Sequence, residues 1–128
     1  MITAVTYGVK ISVESIYRGD LSNAENNIFF FNYRLEIENT NDFDIQLLNR
    51  YWFIFDSLNQ SREVNGDGVV GEQPTLKPGE KHTYVSGCDI HSEVGFMSGY
   101  YSFLKIDSNE IFKVAIPKFQ LISTPKLN

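Results

Sequence analysis

Two stretches of this 128-residue sequence carry residue types that do chemistry. The first is the glycine-rich run GDGVVG at residues 66–71, which fits the pattern G-x-G-x-x-G. In dinucleotide-binding folds this pattern follows a strand and opens a helix, whose N-terminus holds a pyrophosphate. Pro74, Pro78 and Gly79 follow closely here, and they exclude that helix. The sequence therefore argues against a Rossmann-type nucleotide site.

A smaller anion site remains an alternative for the same stretch. Successive backbone N–H groups in a glycine-rich turn form a concave nest for an anion without any helix. Gly66, Gly68 and Gly71 are the residues predicted to bind a phosphate-containing small molecule in this way. The other interpretation is that these glycines only shape a long loop where φ is positive. Both interpretations stay open from the sequence.

The second stretch places Cys88, Asp89, His91 and Glu93 within six residues. On one strand, Asp89, His91 and Glu93 share a face and offer nitrogen and oxygen ligands to a metal ion. No strong metal-ligand spacing is matched, so we expect a solvated loop, no bound metal and no cofactor. Cys88 is the only cysteine, which excludes an internal disulfide and predicts a small buried thiol.

Composition limits the class of protein. Hydrophobic residues make up 42% of the chain and charged residues 21%, which excludes disorder. The formal net charge of −5 argues against nucleic acid as a partner. We expect no membrane span and, since no basic and apolar leader opens the chain, a cytoplasmic protein. We also expect one domain over residues 1–128, and the lack of a catalytic constellation predicts a protein that is not an enzyme.

The elements that must position these residues are strands, because apolar residues alternate with polar ones throughout. No window shows a clean helical period. Residues 65–80 are predicted to be a long loop without regular structure, and a bulge is expected near Asn49 and Arg50. Residues 107–109 are predicted to form a hairpin loop. The fold class is an all-β, fibronectin type III or immunoglobulin-like antiparallel sandwich of about seven strands. The predicted strands cover residues 5–13, 29–37, 44–55, 62–64, 81–86, 99–106 and 111–116.

Aromatic residues are abundant, with ten Phe, seven Tyr and one Trp. Most lie at strand spacing, so Trp52, Phe53 and Phe55 are predicted to fill the core. Three others break the simple alternation and are predicted to form an interaction surface with a protein partner. They are Phe30, Tyr100 and Tyr101.

Taken together, these residues resemble the ApaG family, also called CorD. The resemblance runs from about residue 5 to residue 121, and the most specific segment is EVNGDGVVGEQP at residues 63–74. Residues 5–13, 33–39, 45–52 and 76–80 continue it in the same order. One position departs from the family pattern: a His usually follows the Arg of the L-L-x-R-x-W segment, and this chain has Tyr51. That departure argues against a ligand role at this position.

The resemblance implies a fibronectin type III-like sandwich without established catalytic residues. It also implies an association with cobalt resistance and magnesium efflux, and eukaryotic relatives of the domain resemble interaction modules. We therefore expect a non-enzymatic module that binds a protein partner. Pyrophosphate or nucleotide binding at residues 66–71 is the first alternative, and direct binding of a divalent cation is the second. A homodimer paired through edge strands also stays open.

Overall fold

The structure is a computed structural model that describes residues 1–123. Within that range the chain forms β-strands joined by turns, with two short 3₁₀ turns at Gly19–Leu21 and Ala24–Asn26 and no α-helix. No helix in residues 1–123 is long and apolar enough to cross a membrane. The strands are β1 (Ile2–Thr6), β2 (Val9–Tyr17), β3 (Phe29–Asn39), β4 (Ile45–Asp56), β5 (Arg62–Asp67), β6 (Thr75–Leu76), β7 (Lys81–Ile90), β8 (Val94–Lys105) and β9 (Glu110–Ile122).

These strands form two antiparallel sheets that pack face to face. One sheet has the order β1-β2-β3-β7, and the other has the order β5-β4-β8-β9 with β6 paired to the start of β4. Alternate residues of each strand point between the sheets, as for Phe31, Tyr33 and Leu35 of β3. These inward residues make one hydrophobic core. The predicted all-β antiparallel sandwich is confirmed.

The first predicted strand is wrong, because residues 5–13 form a hairpin. Tyr7 and Gly8 have φ values of 49° and 75° and make the two-residue turn between β1 and β2. Val9 is buried, whereas Tyr7 is 72% exposed. Apolar residues occupy odd positions on both sides of the turn, but the inward face changes parity there: Val5 of β1 is 62% exposed, whereas Ile11 of β2 is buried. The sequence pattern therefore reads as one strand across the turn.

The loop predicted for residues 65–80 contains more pairing than expected. Strand β5 continues to Asp67, and Leu76 of β6 pairs with Ile45 of β4. Leu76 is buried in the core, and this burial stabilises the return of the segment to the sheet. The bulge predicted near Asn49 is confirmed, since the register of β4 against β8 shifts between Leu47 and Asn49.

Two further predictions concern the later strands. Strand β7 runs to Ile90 rather than residue 86, because Cys88 and Ile90 still point into the core. The hairpin loop at residues 107–109 is confirmed, with Lys105 paired to Glu110 across it.

Candidate functional site

The glycine-rich segment lies against β4, where it is organised by Arg50. In the β4–β5 pairing Gly66 is opposite Arg50, and a Cβ at position 66 would lie 2.7 Å from the Arg50 Cζ atom. Arg50 Nη1 donates to the carbonyl oxygens of Asp67 at 3.0 Å and Gly68 at 2.8 Å. Glycine at position 66 therefore makes room for a guanidinium group that binds the carbonyls of the next two residues.

The rest of the segment is a tight hairpin. Val69 and Glu72 exchange backbone hydrogen bonds of 2.7 and 3.0 Å around a turn formed by Val70 and Gly71, whose φ values are 48° and 79°. Two positive φ values are typical of a type I′ turn. The amide of Gly68 donates to the Leu48 carbonyl at 2.8 Å.

This geometry does not support the predicted anion nest at Gly66, Gly68 and Gly71. A nest needs free amides that converge on the ligand. The Gly68 amide is already bonded, and the segment turns two carbonyls toward the cationic side chain of Arg50. The motif therefore binds the guanidinium group of Arg50 rather than an anion.

A row of aromatic side chains covers the outward surface of β4 and β8. Tyr51 stacks on Tyr100 with ring centroids 5.0 Å apart, and Phe55 stacks on Phe96 at 4.9 Å. Phe53 lies between these pairs, 6.0 Å from Phe96, and all five rings are half-buried. We call these five residues the outer aromatic face.

Two lysines from β9 pack on this face. Lys113 Nζ lies 4.6 Å from the centre of the Tyr100 ring, and Lys118 Nζ lies 4.0 Å from that of Phe96. Such cation–π contacts hold the ammonium groups at the border of the aromatic surface. The face therefore combines an apolar centre with a positive edge.

The structure separates the three residues predicted as an interaction surface. Tyr100 lies half-buried on the outer aromatic face. Tyr101 is 0% exposed, so its prediction as surface is wrong: it points into the core, where its hydroxyl lies 2.5 Å from that of Tyr84. Phe30 is half-buried on the outward surface of the other sheet, where its ring covers Gly87. Phe30 and Tyr100 therefore cannot belong to one patch.

Burial also governs the titration of the inward groups. It raises the pKa of the phenols of Tyr84 and Tyr101, and the nearby charge of Arg50 opposes that rise. Burial raises the pKa of the Cys88 thiol to about 11, with the Arg62 guanidinium acting in the opposite direction. Cys88 is buried and unpaired, as predicted, and stays a neutral thiol at neutral pH.

The predicted metal candidates do not come together. Strand β7 ends at Ile90, so Asp89, His91 and Glu93 do not share one strand face. Asp89 lies 3.5 Å from Arg62, and His91 Nδ1 lies 3.1 Å from the Asn27 carbonyl oxygen. Within residues 1–123 no group of three or more His, Cys, Asp or Glu side chains is placed to hold a metal ion.

Sequence patterns missed most of the outer aromatic face. Phe53 and Phe55 were expected in the core with Trp52, but only Trp52 points inward. The alternation of side chains along β4 indicates the correct face. Trp52 and Ile54 share one face of the strand, so Tyr51, Phe53 and Phe55 must share the other.

The fold and these surfaces define a small all-β sandwich domain that presents an aromatic outer surface. A family model described as ApaG domain matches residues 19–105. A Protein ApaG from Allorhizobium ampelinum is 42% identical over 127 residues, covering 99% of this chain and 96% of that relative. Another from Brucella anthropi is 43% identical over 121 residues, covering 94% and 92%. The chain belongs to the ApaG family.

Solved structures agree with this assignment. A crystal structure of an ApaA protein from Bordetella pertussis aligns with a TM-score of 0.86 at 35% identity. The alignment covers 92% of this chain and 94% of that protein. Fold and family are thus the same over nearly the full length.

Proposed function

We propose that this protein is a non-enzymatic binding module that engages a protein partner through the outer aromatic face. The observation that carries the proposal is the set of half-buried rings on β4 and β8. Among them Tyr51 stacks on Tyr100, and Phe55 stacks on Phe96. Aromatic residues dominate the energetics of protein interfaces because they bury much surface for little conformational entropy. Stacking fixes these rings before binding, which lowers the cost of association further.

The charges around the face indicate the partner's chemistry. Lys113 and Lys118 border the rings from β9. A partner with an apolar centre and acidic residues at its edge fits this arrangement, since complementary charges at the rim steer association. We propose that both this protein and its partner are cytoplasmic.

The family resemblance implies a role in cobalt resistance and magnesium efflux. The protein is proposed to fulfil that role through its protein partner. Direct cation binding by Asp89, His91 and Glu93 is not favoured, because Asp89 already pairs with Arg62. Nucleotide binding at residues 66–71 is likewise not favoured, since the Gly68 amide is already bonded there.

Affinity capture with quantitative mass spectrometry tests the proposal. The bait is compared with a Phe53→Glu/Tyr100→Glu variant and with a matched Thr83→Glu/Val85→Glu variant on the outward surface of β7. The proposal expects proteins captured by the wild type and the β7 variant to be lost from the face variant. Identical capture by all three, or no capture above the tag alone, would overturn it. Sedimentation velocity distinguishes self-association from a different partner.

A further inference from the structure

The two sheets are joined differently along their two sides. On one side β1 and β2 contact β9, and Ser15 Oγ donates to the Gln120 carbonyl at 2.9 Å. On the other side the edge strands β5 and β7 border a cleft of about 200 Å³. This space equals roughly six or seven water molecules, which is enough for one small organic molecule. We call it the arginine cleft, and its lining includes Tyr33, Arg50, Trp52, Arg62, Cys88 and Asp89.

The charged groups that line the cleft do not balance. Arg62 is paired, with its Nη2 3.5 Å from Asp89 Oδ1 and donating to the Asp89 carbonyl at 2.6 Å. Arg50 has no carboxylate within 4.0 Å in the described part of the chain. Its recorded hydrogen bonds leave from Nη1 alone, so Nε and Nη2 have no partner within residues 1–123. The cleft therefore carries an uncompensated guanidinium with donors to spare.

A second unpartnered donor lies in the same lining. Trp52 is 2% exposed, and its indole Nε1 has no hydrogen-bond partner in the described structure. Its ring packs edge-on against Tyr33 with centroids 5.4 Å apart. Buried polar groups are almost always hydrogen-bonded, so an orphaned donor beside a cleft is unusual. Tyr33 is 6% exposed, so the two rings border the cleft beside its cationic end with only a narrow strip of aromatic surface.

We infer that the arginine cleft binds a small organic oxyanion, a carboxylate or a phosphate monoester. Arg50 holds the oxyanion, because a guanidinium presents N–H donors in the planar geometry that such groups accept. The body of the ligand lies in the cleft beside the edges of Trp52 and Tyr33, and Arg62 supplies further donors at the Asp89 end. This site uses side chains between the sheets, is separate from the outer aromatic face, and does not depend on the proposed protein partner.

Trp52 is the only tryptophan, so its indole N–H gives a single NMR signal that reports on the cleft. The probes are benzoate and phenyl phosphate, each matched to sodium chloride of equal ionic strength, with benzamide as the neutral counterpart of benzoate. We expect a saturable shift of the indole signal with either oxyanion. The probe that binds more tightly identifies the headgroup, carboxylate or phosphate.

Three variants locate the binding. Arg50→Gln is expected to weaken binding by about tenfold or more, and Arg62→Gln by a smaller factor. Arg34→Gln, which removes an exposed arginine on the outward surface of β3, should leave the affinity within about twofold. Arg50→Gln could also lower the affinity by loosening residues 67–68. In that case the Arg62→Gln variant and the comparison with benzamide decide whether the cleft binds the oxyanion. A shift as large with benzamide, no saturable shift with either oxyanion, or unchanged affinity in both cleft variants would overturn the inference.

Discussion

The guanidinium group of Arg50 lies against the α-carbon of Gly66, so closely that a Cβ at position 66 would be 2.7 Å from Cζ. The same group binds the carbonyl oxygens of Asp67 and Gly68. This relationship explains a glycine-rich motif without reference to a nucleotide. The motif accommodates an arginine of the neighbouring strand, and that arginine also lines the cleft between the sheets.

The three motif glycines should respond differently to alanine. Gly68→Ala is predicted to cost about 2 kcal/mol or more, since φ is +59° and the new Cβ would collide with the Glu72 carbonyl. Gly71→Ala should cost about 1 kcal/mol, because φ is +79° but nothing lies within 4 Å. Gly66→Ala should fall between the two, at roughly 1 to 2 kcal/mol, because its Cβ would displace the Arg50 guanidinium from the carbonyls of the loop. Urea unfolding measures the three values, and equal losses would contradict this account of the loop.

Asp56 is predicted to be a major stabilising residue despite its charge. It is 1% exposed and accepts hydrogen bonds from the His91 amide at 2.6 Å and from the Ser92 hydroxyl. Asp56→Ala leaves both buried donors unpaired and should cost about 3 kcal/mol in chemical unfolding. Asp107→Ala in the exposed β8–β9 turn is the matched control, with a change below about 0.5 kcal/mol. A loss under about 1 kcal/mol for Asp56→Ala would refute the assigned role.

Cobalt binding should not depend on His91. The ring contacts the Asn27 carbonyl oxygen, and neighbouring Asp89 pairs with Arg62. Calorimetric titration of Co²⁺ or Mg²⁺ into the wild type and His91→Ala should therefore give the same weak affinity. A clear loss of affinity in the variant would mean that the side chains rearrange to form the metal site that the sequence suggested.

Stability should fall at alkaline pH because buried groups resist ionisation. The pKa of Cys88 is raised from its ordinary 9.0 to about 11, and those of Tyr84 and Tyr101 also rise. Below pH 9.0 the thiol is neutral in both states, so it adds no pH dependence. Between pH 9.0 and about 11 only the unfolded chain loses this proton, so the free energy of unfolding decreases.

Urea unfolding across that range measures the decrease. Cys88→Ala and Tyr84→Phe should each show a shallower fall than the wild type, because each removes one group whose pKa changes on folding. An identical pH dependence in all three proteins would show that these groups are not responsible.

The sequence was sufficient for the sandwich because alternating residues such as Phe31, Tyr33 and Leu35 are buried on one parity, as their pattern requires. It was not sufficient for the turn at Tyr7 and Gly8, because apolar residues continue at odd positions on both sides of the turn although the buried parity changes there.

The candidate sites were harder to predict for a different reason. Nothing local to Arg50 indicates that it reaches Gly66, since the contact arises from pairing between two strands. In the run Tyr51-Trp52-Phe53 both parities are aromatic, so only the packing of Trp52 decides which face is outside. Long-range pairing and the choice of buried face are the two properties that a single sequence specifies least.

Site-specific photo-crosslinking tests the central claim most directly. Ala115 is exposed and pairs with Tyr100 at the outer aromatic face, whereas Thr83 is exposed on the opposite sheet. With p-benzoylphenylalanine at position 115, irradiation in cells that express the protein should give a discrete adduct with another protein. The same group at position 83 should not give that adduct. No adduct from position 115, or the same adduct from both positions, would contradict binding through the outer aromatic face.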